Sequence, residues 1–168
     1  VTVHDLFKWI ILGQKPDGIK NLIGFHIFSP EEQDIISKKL LTVPVLTEKG
    51  PAFMGMMPDS NNRCVMLTDE NMCASYDVRP VACRQFPVGI FENPDSNLID
   101  IGLSPLAARI CEGVGKGKRI VNKDLIELAE DVKYVLDTDR LIIGKWNEKV
   151  NKGEVEASVD NFLSFLVE

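Results

Sequence analysis

Asn62-Arg63-Cys64-Val65-Met66-Leu67-Thr68-Asp69-Glu70-Asn71-Met72-Cys73-Ala74-Ser75-Tyr76-Asp77-Val78-Arg79-Pro80-Val81-Ala82-Cys83-Arg84-Gln85-Phe86-Pro87 holds three of the chain's four cysteines, and the fourth, Cys111, opens the run Cys111-Glu112-Gly113-Val114-Gly115-Lys116-Gly117-Lys118. The cysteine segment 62–118 has the most distinctive chemistry in the sequence, and we read it as a metal site around which the other elements are arranged. Arg63 to Leu67 predicts a strand carrying Cys64, and Thr68 to Asn71 a polar turn that leads to Cys73. Ala74 to Gln85 predicts a short helix around Pro80. Val88 to Phe91 and Leu98 to Leu103 predict a hairpin across Asn93-Pro94-Asp95-Ser96-Asn97. Ser104-Pro105 then opens a helical turn that presents Cys111.

Outward from this segment, helical signals dominate. Thr2 with Asp5 three residues on has the form of a capping box, and Leu6, Phe7, Ile10 and Ile11 follow at helical spacing up to Gly13. Pro16-Asp17-Gly18 reads as a turn, and Ile19 to Phe28 as a short helix or a strand. Ser29, Pro30 and Glu32 form a second capping box for a helix reaching about Leu40. Extended pieces are expected over Thr42 to Leu46 and Ala52 to Met57, with Met54, Met56 and Met57 as core filling. In the C-terminal helical segment 122–168, Asn122 caps a helix through Asp137 whose inner face is Leu125, Leu128, Ala129, Val132 and Val135. A separate helix is expected over Arg140 to Asn151, and a last one from Ser158 with Phe162, Leu163, Phe165 and Leu166 docked on the core. No internal repeat is expected. The whole is an α+β fold, mostly helical, read as one domain over 1–168 with short strands, hairpins and cysteine-bearing loops around a metal centre.

The composition limits the function classes. The chain has 168 residues, 45% hydrophobic and 26% charged, enough for one sizeable core, and a formal net charge of −6. That charge disfavours nucleic acid or an anionic membrane as partner. Lys116-Gly117-Lys118-Arg119 is too short a basic run to reverse this. No apolar run reaches a membrane span and no secretory signal is evident, so a cytoplasmic location is expected. A redox or protein partner is the expected company.

Thiolates are soft ligands, and four of them suit tetrahedral zinc or an iron–sulfur cluster. The spacings Cys64–Cys73, Cys73–Cys83 and Cys83–Cys111 match neither a zinc ribbon nor a ferredoxin, and on spacing alone four separate buried thiols fit equally well. Each cysteine, however, sits at a turn, next to Asn, Asp, Arg, Pro or Gly. Arg79 and Arg84 bracket Cys83, either to offset the charge of a cluster or to pair with Asp77 or another surface carboxylate. Gly113, Gly115 and Gly117 let backbone amides come close to a ligand. His4 and His26 fall in no ligand spacing and are expected to be structural.

Taken together, Arg63-Cys64-Val65-Met66-Leu67, Met72-Cys73-Ala74-Ser75-Tyr76, Val78-Arg79-Pro80, Ala82-Cys83-Arg84-Gln85-Phe86-Pro87 and the Cys111 glycine run resemble the YkgJ-like cysteine-cluster proteins, described as zinc- or iron-chelating domains, over roughly Val1 to Ala129. The resemblance implies that Cys64, Cys73, Cys83 and Cys111 are metal or cluster ligands. The family's upstream Cys-x-x-Cys-x-x-Cys-Cys group is not in this sequence. The expected function is therefore an iron–sulfur protein in electron transfer or an accessory redox role. A structural zinc module for protein interaction is the alternative, and an enzyme related to the family's lysine N-methylase branch a further one. No nucleotide fingerprint, serine–histidine pairing or carboxylate pair supports the enzyme.

Overall fold

The computed structural model describes residues 1–92, 99–110, 115–116 and 122–168. It is an α+β fold of helices α1 (Val3–Ile11), α2 (Pro16–Lys20), α3 (Pro30–Leu40), α4 (Val81–Gln85), α5 (Pro105–Ile110), α6 (Asn122–Asn151) and α7 (Val159–Phe165), with a 3-10 turn at Tyr76–Val78. Strands β1 (Ile23–Ile27), β2 (Val45–Thr47) and β3 (Gly50–Met56) form an antiparallel sheet in the order β1-β3-β2, and β4 (Val88–Glu92) pairs with β5 (Ile99–Leu103) as a hairpin. The undecided stretch after Gly18 thus divides between the end of α2 and β1, and the expected turn at Pro16 begins a helix, with proline at its first position.

Both capping boxes form: Thr2 and Asp5 close the start of α1, Ser29 and Glu32 that of α3. The buried face of α1 differs from the expected one. Val3, Leu6 and Trp9 point inward while Ile11 is 83% exposed, because Trp9 at i+3 from Leu6 provides the large apolar surface.

The main core sits between one face of the three-stranded sheet and α1, α7 and the C-terminal half of α6. Trp146 meets Phe162 at 5.5 Å between ring centroids and Phe162 meets Phe25 at 6.3 Å, both edge to face. The indole N–H of Trp146 donates to the Leu46 carbonyl at 2.9 Å, so the largest buried ring carries no unmet donor. Asn147 accepts from the Leu46 N–H and donates to the Pro44 carbonyl, both at 2.9 Å, fixing β2 against α6. A smaller core gathers Leu41, Val81, Ile90, Ala129, Val132 and Val135 under the N-terminal half of α6.

The two helices expected over 122–137 and 140–151 are a single 30-residue helix. Thr138 and Asp139, left between the two expected helices, are helical, and Asp139 is 1% exposed with its carboxylate accepting from the Val3 N–H and the Thr42 hydroxyl. Burial pushes its carboxyl above the ordinary carboxylate range, and those two hydrogen bonds work against the shift. Met54 and Met56 pack on the core as expected, whereas Met57 is exposed. Gly24 faces Gly55 across β1 and β3, and a Cβ at Gly55 would come within 2.8 Å of His26 Nε2, so His26 lies over the space that the glycines leave open. Among the described residues, no helix is long and apolar enough to cross a membrane.

Candidate metal centre

The strand expected at Arg63 to Leu67 is absent. Cys64 makes an isolated antiparallel bridge with Pro58, and Cys73 makes one with Leu67, each closing a tight turn. The two turns are the same structure built twice. In the first, Asp59 N–H donates to Arg63 O (2.6 Å), Asn62 N–H to Asp59 O (3.0 Å) and Val65 N–H to Met57 O (3.1 Å). Nine residues on, Thr68 N–H donates to Met72 O (2.9 Å), Asn71 N–H to Thr68 O (3.0 Å) and Ala74 N–H to Met66 O (2.8 Å).

Side chains follow the same plan. Asp59 Oδ1 accepts from the Arg63 N–H at 2.8 Å, and Thr68 Oγ1 from the Met72 N–H at 3.3 Å. Asn62 and Asn71 both take φ +59, the left-handed conformation that asparagine tolerates better than most side chains. Met57–Val65 and Met66–Ala74 are therefore a tandem repeat, with Cys64 and Cys73 in the equivalent place. The expectation of no internal repeat is corrected here. Only Met and Asn-x-Cys recur in the letters, while Asp and Thr fill the acceptor position interchangeably, so the repeat is one of hydrogen bonding more than of residue identity. Arg63 joins the two copies, reaching Asp59 Oδ2 at 3.2 Å and Asn71 Oδ1 at 3.4 Å.

Cys83 arrives from another direction, on α4, whose start is held by α1. Asp5, 1% exposed, accepts from the Val81 N–H at 3.0 Å while its other oxygen accepts from Thr2, so a buried carboxylate caps α4 from a distance. Trp9 Nε1 donates to the Val78 carbonyl at 3.0 Å, pinning the 3-10 turn that leads into α4. Desolvation pushes the Cys83 thiol up from its ordinary pKa. All three cysteines are free thiols, Cys64 and Cys73 half-buried and Cys83 exposed.

Among the described residues, no three His, Cys, Asp or Glu side chains are placed to close around a metal ion. Cys111, the fourth expected ligand, and Gly113 lie outside the described residues. Gly115 is described, exposed and at φ +80. Arg79 stacks on the Tyr76 ring at 4.0 Å, and its Nε is buried without a hydrogen-bond partner, a donor that lacks an acceptor. Arg84 instead lines a cleft with His4 and Lys8. Three free thiols and an unpaired guanidinium N–H thus share this segment, without the geometry of a closed metal site among the described residues. Sequence reasoning missed Asp5 and Trp9 as the groups that position Cys83. The adjacent capping box drew attention to Asp5 only as a local cap.

Comparison with protein-family models, curated proteins and solved structures gives no match.

Proposed function

We propose that this chain is a metal-binding protein in which Cys64, Cys73 and Cys83, joined by Cys111, hold an iron–sulfur cluster serving electron transfer or an accessory redox role. The observation that carries the reading is the repeated turn, which sets Cys64 and Cys73 in equivalent positions while α1 fixes the helix bearing Cys83. Chance placement of unrelated buried thiols does not explain a hydrogen-bonding plan repeated at the spacing of two cysteines.

The energetics of the segment support the same reading. From Met57 to Arg79 no residue is buried, yet the chain follows a defined path. Ordering that many residues costs on the order of tens of kcal/mol, and apolar burial within the segment contributes little against it. A centre ligated by thiolates supplies about 10 kcal/mol or more to a segment of this kind. Ligands drawn from separate loops favour a cluster over a single ion, and Arg79 Nε offers a donor for a sulfur acceptor. A zinc ion is the other occupant four thiolates accept.

Anaerobic purification followed by iron, sulfide and zinc analysis tests the proposal. Iron and sulfide in equal amounts, with visible absorption that bleaches on reduction, are the expected result. One zinc in colourless protein would replace the cluster by the ion. Protein without any metal, or a Cys83→Ser variant retaining as much metal as the His26→Ala control, would overturn the assignment.

A further inference from the structure

A cleft of about 230 Å³ opens where α1, α4 and α6 meet, separate from the thiols in its lining residues. Its charged wall carries Lys8 and Arg84 against the single carboxylate of Asp131. Neither Lys8 nor Arg84 has an ion-pair partner among the described residues, although the chain as a whole carries −6. His4 completes this wall. Burial, and then the positive charge of Lys8, lower its pKa from the usual histidine value, with Arg84 acting in the same direction and Asp5 against it. Val81, Val132 and Val135, all buried, supply apolar lining. Gln85 also lines the cleft, and its Oε1 is buried without a donor.

These features belong together. Two unpaired cations favour an anion, the valines favour a small apolar body, and a buried amide oxygen without a partner favours a hydroxyl or amine donor. We propose that it is a binding site for a small organic anion, a carboxylate or phosphate group set against Lys8 and Arg84, with a compact apolar body on the valines and a hydrogen-bond donor directed to Gln85 Oε1. The site stands independently of the metal centre.

Calorimetric titration of the full chain with 4-hydroxybenzoate, 4-hydroxybenzamide, benzoate and phenyl phosphate tests it. The acid should bind at least about tenfold more tightly than its neutral amide, and Lys8→Gln or Arg84→Gln should each remove most of that preference. Gln85→Leu should abolish the advantage of 4-hydroxybenzoate over benzoate while leaving benzoate affinity in place. Tighter binding of phenyl phosphate than of benzoate would identify phosphate as the anionic group, and the reverse order a carboxylate. Equal affinity for acid and amide, binding unchanged in the Lys8→Gln/Arg84→Gln double variant with native circular dichroism, or no heat from any of the four probes would overturn the proposal.

Discussion

The region around Trp146 and the stretch from Met57 to Arg79 are built in opposite ways. In the first, Trp9, Trp146, Phe162, Leu6, Ile143 and Leu163 are at most 2% exposed and interlock on one face of a sheet. In the second no residue is buried, and order comes from turns, two left-handed asparagines and a few side-chain acceptors. Apolar burial accounts for the first region unaided. The second has too little of it; in the proposed reading a centre held by its thiols makes up the difference, and the described contacts tying it to the rest of the fold include Trp9 to Val78 and the Met57 N–H to the Leu22 carbonyl, with Asp5 holding Val81 just beyond it.

The largest effect is expected where burial does the holding. Trp146→Ala leaves a cavity at the centre of the main core and should cost about 3–5 kcal/mol, read from urea unfolding. A loss under 1 kcal/mol would show that the contrast is misplaced. Asp5→Ala strips the acceptor from Thr2 and Val81 and should cost about 3 kcal/mol. Unlike Trp146→Ala, it should also weaken metal retention, because α4 and Cys83 lose their anchor. Metal content unchanged in Asp5→Ala would separate the two regions altogether.

The same contrast governs how legible the molecule was. Capping boxes, proline at the first turn of α3, and the apolar spacing of α7 and the inner face of α6 were readable because they depend on neighbouring residues. The continuity of α6 through Asp139 was not readable, because the partners of Asp139, Val3 and Thr42, are distant in sequence. The cysteines themselves were conspicuous, but the repeat around Cys64 and Cys73 was not, since its equivalence resides in backbone hydrogen bonds that different side chains support. The anchoring of Cys83 through Asp5 is likewise tertiary and has no local signature.

A smaller effect sharpens the role of Asp139 in the well-buried region. Its folded-state carboxyl holds a proton more firmly than in the unfolded chain, so its contribution to stability is fully present below the ordinary carboxylate range and is lost as pH rises through the raised value. Across that window Asp139→Asn should gain stability relative to the unaltered chain, measured by urea unfolding at stepped pH. A difference that stays flat with pH would contradict the burial account. The smallest effect belongs to the turns: Asn71→Ala should lose about 1 kcal/mol through its left-handed backbone, and Asn71→Gly much less. Equal losses in the two would remove the backbone from the explanation.

Amide hydrogen exchange of residues 57–79, recorded on anaerobically prepared protein before and after metal is stripped, tests most directly whether a bound centre organises the cysteine segment. The expected result is a large acceleration of exchange over both copies of the turn while the amides around Trp146 and Phe162 keep their protection. Identical exchange over 57–79 in the two samples would contradict the account, because the turns would then stand without a metal.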